Sequence, residues 1–323
     1  MASPNFYKIL TTLAPNLLIY DFLQPWAPAL AETLNIPSVN FLSCSTTMIS
    51  FSIHDSGNPR VKYPFPEIYL HEHEVNQFNH RLDSFANGVK NADRIKDCYK
   101  RSLNIILIKT FRELEGKHID YLSHLTDKKM VPVGALVQEE INEEEGEEII
   151  EWLNKKERLS TVFVSFGSEY FLSKKEIKEM AQGLELSKAN FIWVVRFPMG
   201  EKVSVEEALP KGLLVDLCHC GWSSVMESMK YGVPILAMPM HLDQPLNARV
   251  VEEVGVGVEI KKDQNGWIQK EEVAKVVKEV IKEKNGESVR KKAKEMSENL
   301  RNKGDEEIDG VVEELVQLCL KCN

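Results

Sequence analysis

The sequence predicts an α/β protein built from two parallel-sheet domains. Three observations carry this reading. Short apolar runs alternate with helix-period patterns through both halves of the chain. A strongly acidic stretch, residues 138–148, separates those halves. A length of 323 residues suffices for two domains of ordinary size.

The elements follow in order. Residues 17–20 and 39–42 are apolar runs and read as strands. Between them, 25–34 reads as a helix, because Trp26, Leu30 and Leu34 share one face. Residues 56–66 are rich in Pro and Gly and read as loop. Residues 105–108 form a further strand. The acidic stretch 138–148, with Gly146, reads as an exposed interdomain linker, since its carboxylates cannot be buried without counterions. Beyond it, 147–157 is helical, 162–165 a strand, 174–188 a helix and 191–195 a strand. Val273, Val276, Val277, Val280 and Ile281 recur at i, i+3, i+4, i+7 and i+8, the stripe of an amphipathic helix. Residues 308–320 read as a terminal helix. The expected division is an N-terminal domain 1–137, a linker 138–148, a C-terminal domain 149–305 and a terminal helix 306–323.

Composition narrows the function. Hydrophobic content of 43% and charged content of 28% fit a globular protein. A net charge of −9 argues against a nucleic-acid partner, whose phosphates need a basic surface. No stretch reaches about 18 consecutive apolar residues, so no membrane span is expected. The start lacks the basic-then-apolar order of a signal peptide. Six cysteines in a chain of this size read as reduced thiols, and a cytoplasmic location is expected.

The chemistry concentrates between residues 219 and 247. His219-Cys220-Gly221-Trp222-Ser223-Ser224 leads to Glu227; Gly232-Val233-Pro234 and Pro239 follow, then Asp243-Gln244 and Asn247. Gly221 permits a tight turn. Trp222 to Tyr231 then reads as a helix whose first turn offers free N–H groups and a positive dipole end, a seat for phosphate. His219, Ser223 and Ser224 add donors there. Glu227 lies three residues past Ser224 on the same helix face, placed to accept two vicinal hydroxyls of a ribose. Residues 235–238 read as a buried strand. Asp243 and Gln244 follow its C-terminal end, where ligands sit in open α/β sheets.

This block resembles the second half of the signature box of the plant family 1 UDP-sugar glycosyltransferases. The resemblance extends over nearly the whole chain. It implies two Rossmann-like domains facing across a cleft, the GT-B arrangement, with the N-terminal domain incomplete. It implies that His219 and Ser224 contact the diphosphate, with Trp222 and Ser223 beside them. Glu227 would hold the ribose, and Asp243 and Gln244 the donor sugar. Ser223 stands where the family usually has Asn. Thr161 to Ser168 reads as a strand ending in a Gly-Ser loop, and the resemblance makes Ser168 a phosphate or sugar contact. Residues 17–22 are another strand ending in an acid, and Asp21 matches the family aspartate that orients the catalytic histidine. His-Cys-Gly-Trp-Ser-Ser with Met-His-Leu-Asp-Gln is similar to the clade that adds a sugar to an existing glycoside.

Two family features are missing from the sequence. The Trp-Ala-Pro-Gln opening of the box has no counterpart: no tryptophan lies between Trp193 and Trp222, and Trp26-Ala27-Pro28 continues to Ala29 in the other half. The join near 213–217 has the look of an internal deletion. The chain also starts beyond the matching catalytic-histidine loop, and central strands of the N-terminal sheet are unmatched. It therefore resembles a truncated or spliced form, or a faulty gene model, of a longer enzyme. Loss of those strands is expected to strip apolar partners from Leu17, Leu18 and Ile19.

The implied activity is transfer of a sugar, with glucose expected, from a UDP-sugar to a hydroxyl of a small plant metabolite or its glycoside, flavonoid or terpenoid, with inversion. The UDP-sugar is a substrate; no cofactor and no metal is expected. Cys218-His219-Cys220 lacks the Cys-x₂₋₄-Cys spacing of zinc sites. His54, His71 and His73 read as residues of a surface loop, with His54 the alternative candidate for a base. The competing reading is an impaired fragment that keeps weak nucleotide-sugar binding or a protein-interaction role.

Overall fold

Strands of the first half form one parallel sheet in the computed structural model, which describes residues 3–57, 60–137, 147–157, 159–168, 170–195, 217–303 and 306–322. Contacts divide the chain into two units, Met1–Pro66 with Val75–Leu136 and Asn302–Asn323, and Glu67–Glu74 with Val137–Arg301. The cut after Leu136 lies beside the expected domain end at 137. The expected linker 138–148 lies, up to residue 146, outside the described residues. Two differences are tertiary in origin. The terminal helix belongs to the first unit, and the short segment Glu67–Glu74 belongs to the second.

In chain order the first unit holds α1 (Ser3–Leu13), β1 (Leu18–Asp21), α2 (Trp26–Thr33), β2 (Ser38–Leu42) and α3 (Thr46–Gly57). Then come α4 (Glu72–Asp83), a small hairpin of β3 (Phe85–Ala86) and β4 (Val89–Lys90), α5 (Asn91–Arg101), β5 (Ile105–Ile108), α6 (Arg112–Thr126) and β6 (Lys129–Pro132). The sheet order is β1-β2-β5-β6, all parallel. β5 is buried throughout, as a central parallel strand covered on both faces should be. β1 is an edge strand, and Ile19 on it is 48% exposed. Leu17 and Leu18 keep apolar neighbours, so of the three residues expected to lose partners only Ile19 stands in the open.

α3 is held by a buried acid. Glu115, at a break in the helical geometry of α6, accepts from the Thr46 and Thr47 N–H groups at 3.0 and 2.8 Å and from the Thr47 hydroxyl at 2.7 Å. A carboxylate at a helix start suits the dipole. Burial nevertheless pushes the Glu115 pKa up.

The second unit holds α7 (Glu147–Asn154), β7 (Thr161–Ser165), α8 (Lys174–Ser187), β8 (Asn190–Val194), β9 (Leu217–Cys218) and α9 (Trp222–Tyr231). It continues with β10 (Ile235–Ala237), α10 (Gln244–Val254), β11 (Gly257–Glu259), α11 (Lys270–Lys282) and α12 (Glu287–Lys303), before α13 (Glu306–Cys322) returns to the first unit. The sheet order is β11-β10-β9-β7-β8, again parallel. The stripe read from the sequence of α11 is buried along its length, packed with Met180 and Leu184 of α8 and Val162 and Val164 of β7. α13 lays Val311, Leu315 and Leu318 on the core of the first sheet with Leu107 and Val131.

Segment Glu67–Glu74 is fixed by ions rather than by a stripe. Arg249 of α10 is almost fully buried. Its guanidinium donates to Glu74 at 3.0 and 3.2 Å, pairs with Glu259, and lies 4.9 Å from the ring centre of Tyr69. One cation thus faces two carboxylates. Burial, against the pull of Arg249, pushes Glu259 up to about 7.

Candidate functional site

The register of the second sheet assembles the site. Ser165 at the end of β7 pairs with Cys218 at the end of β9, which pairs in turn with Ala237 at the end of β10. Three neighbouring strands therefore stop at one level. The residues that follow, Phe166-Gly167-Ser168, His219-Cys220-Gly221 and Met238 to His241, must emerge side by side. This is the carboxyl edge of a parallel sheet, where α/β proteins place ligands.

Two glycines seat His219 between the first two loops. A Cβ on Gly167 would stand 2.8 Å from the His219 ring, and one on Gly221 would stand 2.6 Å from it. Gly167 also takes φ +68°, a left-handed conformation that costs a side-chain-bearing residue free energy. Cys220 adopts φ +58° despite its side chain, which turns the chain sharply into α9.

The second and third loops are tied by one amide. Asn247 donates through Nδ2 to the Cys220 carbonyl and to the Asp243 carboxylate, both at 2.9 Å. Gln244 is clamped by its own loop: its Oε1 accepts from the Met240 and His241 N–H groups, both at 2.9 Å. That leaves the Gln244 NH₂ with no protein partner among the described residues, although the side chain is 3% exposed. A buried amide oriented in this way is a donor awaiting an acceptor.

Between these loops lies a pocket of about 270 Å³. Of the residues singled out by sequence, Ser168, His219, Trp222, Ser223, Ser224 and Gln244 line it. The start of α9 supplies the helix end, and Gly221 at its N-cap has no side chain with which to cap it. Glu227 and Asp243 are not in the lining. Glu227 is exposed one turn down α9, on the face of Ser223 and Ser224. Asp243 is half-buried and engaged by Asn247.

Sequence reasoning named Asn247, and quoted His241 within Met-His-Leu-Asp-Gln, but gave neither a role, and it passed over Tyr170; His241 and Tyr170 also line the pocket. The Gln-x-x-Asn spacing was the available signal for Asn247. Nothing in periodicity points to the other two.

In the first unit Asp21 ends β1 and is exposed. Its Oδ1 accepts from the Leu23 N–H at 2.8 Å, closing a local turn. Among the described residues no histidine is hydrogen-bonded to it. His54 is no surface-loop residue: it lies in α3, 6% exposed, with Nδ1 2.6 Å from the Tyr121 hydroxyl and Nε2 2.8 Å from the Val61 carbonyl. With both ring nitrogens engaged, it is not available as a base. His71 precedes α4 and His73 lies within its first turn, their rings stacked at 5.7 Å.

A parallel-sheet unit with a helix end, hydroxyls and a clamped amide around one pocket has the features of a nucleotide-sugar binder. Comparison with known proteins gives the family. A sequence model described as "UDP-glucoronosyl and UDP-glucosyl transferase" matches residues 6–299, and the chain belongs to that family. It is 50% identical to mogroside IIIx synthase of Siraitia grosvenorii over 357 residues, covering 99% of this chain and 74% of the relative. That matched span is longer than the 323 residues here, so the relative carries stretches inside it that this chain lacks. The chain is also 44% identical to cyanidin-3-O-glucoside 2-O-glucuronosyltransferase of Bellis perennis, covering 98% of this chain and 76% of that one. Among solved structures, Phytolacca americana UGT2 complexed with UDP-2fluoro-glucose and pterostilbene aligns with a TM-score of 0.78 at 24% identity, covering 97% of this chain and 79% of that one. The fold is the GT-B fold of these transferases, and the family's reaction is sugar transfer from a UDP-sugar.

Proposed function

We propose that the second unit binds a UDP-sugar, with glucose the expected sugar, for transfer to a hydroxyl of a small-molecule glycoside. One observation carries the reading: Ser168, His219, Ser223, Ser224 and Gln244 meet in one pocket at the start of α9. The diphosphate lies at that helix end, with His219, Ser224 and Ser168 as donors. The Gln244 NH₂ donates to a sugar hydroxyl. Glu227 takes the ribose just beyond the pocket, and Asp243 acts on the sugar while its contact with Asn247 fixes it. Trp222 is buried and shapes the floor. Glycosides are the proposed acceptors, because the relatives named above make or extend them. A reducing, cytoplasmic setting suits the buried cysteines Cys98 and Cys218, which form no disulfide among the described residues. The test is calorimetric titration with UDP-glucose, then transfer to flavonoid and terpenoid glycosides. Ser224→Ala with Gln244→Ala should weaken donor binding by about 10-fold, as two lost hydrogen bonds imply. Unchanged binding in that double variant would remove the assignment.

A second reading, reduced donor affinity, rests on the absence of any tryptophan between Trp193 and Trp222. The family resemblance makes the tryptophan of the missing Trp-Ala-Pro-Gln the platform on which the uracil stacks, and losing a base platform costs about 1–3 kcal/mol. UDP should then bind about 5- to 150-fold more weakly here than to a relative that carries the platform. Equal affinities would reject this reading.

A further inference from the structure

We propose that Tyr170 and His241 form an aromatic wall against which the hexose of the donor lies, so that these two residues select the sugar. The inference rests on the donor-pocket reading above. Both side chains line the pocket, with ring centres 5.2 Å apart and planes tilted by 32°.

Each ring is placed by contacts that owe nothing to a ligand. The Tyr170 hydroxyl donates to Glu176 at 2.9 Å. Glu176 in turn closes the capping box of α8 with Ser173, at 2.7 and 3.3 Å. The ring is therefore anchored to the start of a helix whose body lies in the core. Burial and the adjacent Glu176 raise the phenol pKa, so it remains a neutral donor. His241 is held through its main chain, because its N–H and that of Met240 grip the Gln244 Oε1. The two N–H groups that fix this turn are the same that aim the Gln244 amide.

The chemistry of the wall fits a sugar rather than a phosphate. A pyranose has a face of C–H groups and a rim of hydroxyls. Aromatic faces cover the C–H side through dispersion and weak C–H contacts, while a fixed amide takes a hydroxyl of the rim. The diphosphate has no apolar face, and the N–H groups and hydroxyls at the start of α9 already suit it. The pocket therefore offers each part of a diphosphate sugar a different surface.

The experiment compares UDP with UDP-glucose on the intact chain by calorimetry, in wild type, Tyr170→Ala, His241→Ala, Tyr170→Phe and His241→Phe. Each alanine variant should bind UDP-glucose about 3- to 10-fold more weakly while UDP affinity stays within two-fold. The phenylalanine variants, which keep a ring, should restore most of the loss. Thermal melts identify any alanine variant that fails to fold, and the phenylalanine pair then decides: wild-type preference for UDP-glucose over UDP must persist in both. Equal weakening of UDP and UDP-glucose would place the rings on the nucleotide side and overturn the proposal. So would no weakening of either. If wild type binds neither ligand, the donor-pocket reading fails and this inference falls with it.

Discussion

Asp21 ends β1 and His219 directly follows β9, and the sequence singles out both, but β9 is central in its sheet and β1 lies at an edge. β9 has β7 on one side and β10 on the other, so three loops leave the sheet together. His219 is held by a neighbouring loop as well as by its own, packed against Gly167 and Gly221. Among the described residues β1 pairs with β2 alone. Among them no strand neighbours Asp21 on its open side, and its carboxylate serves its own turn. A strand-end residue becomes a site when adjacent strands supply its surroundings. The acid or imidazole itself does not do so.

The largest expected effect tests how firmly the second unit is determined. Arg249→Ala leaves two buried carboxylates facing each other and should cost about 3–5 kcal/mol. Ile19→Ala on the edge strand should cost less than about 0.5 kcal/mol. Urea melts followed by tryptophan fluorescence measure both, and equal costs would break the comparison. The same cluster gives the next effect. Glu259 is held at about 7, above its ordinary 4.5, so between those values the folded chain keeps a proton that the unfolded chain has released. Its contribution is therefore lost as pH rises from about 4.5 to about 7. Melting temperatures of wild type and Glu259→Gln across that window should show a steeper decline in wild type; parallel curves would reject the assignment.

Gly167→Ala comes third. It places a side chain at positive φ and drives a Cβ into the His219 ring, at a cost of about 1–3 kcal/mol. UDP binding should weaken by about 10-fold or more as His219 shifts. Calorimetry of the folded variant checks this, and wild-type affinity would mean that His219 does not touch the diphosphate. The smallest effect belongs to the edge. Asp21→Ala removes one local hydrogen bond and should cost about 0.5–1.5 kcal/mol. A transfer assay decides whether that is its whole role. A rate loss above about 100-fold in Asp21→Asn, with stability intact, would make the edge residue a catalytic partner after all.

The legible parts of this molecule were those set by short-range pattern. The run 105–108 forms β5 over those residues, and the helix read for Trp222 to Tyr231 has those bounds. The valine stripe of α11 lies inside the core. What stayed hidden depends on contacts between distant residues. Arg249 meets Glu74 across a separation of 175 positions, and no period in either segment announces the other. His54 reads as polar and hence exposed, but Tyr121, from α6, satisfies it inside the fold. In the site, the motif named the residues but not what holds each of them. Only the folded chain shows that Gly167 and His219 touch, that Asn247 ties two loops, and that Glu227 stands one turn outside the pocket.

The capture of Glu67–Glu74 by the second unit has a consequence for synthesis. The segment leaves the ribosome 175 residues ahead of the arginine that neutralises it. At roughly 5–20 residues per second, that interval is on the order of ten seconds or more. During it Glu74 and Tyr69 lack Arg249, the guanidinium that both face in the folded chain. A separately expressed piece covering residues 137–301 would lack the segment altogether. A synthetic peptide of residues 67–74 supplied in trans should then bind that piece and raise its melting temperature, as fragment complementation does.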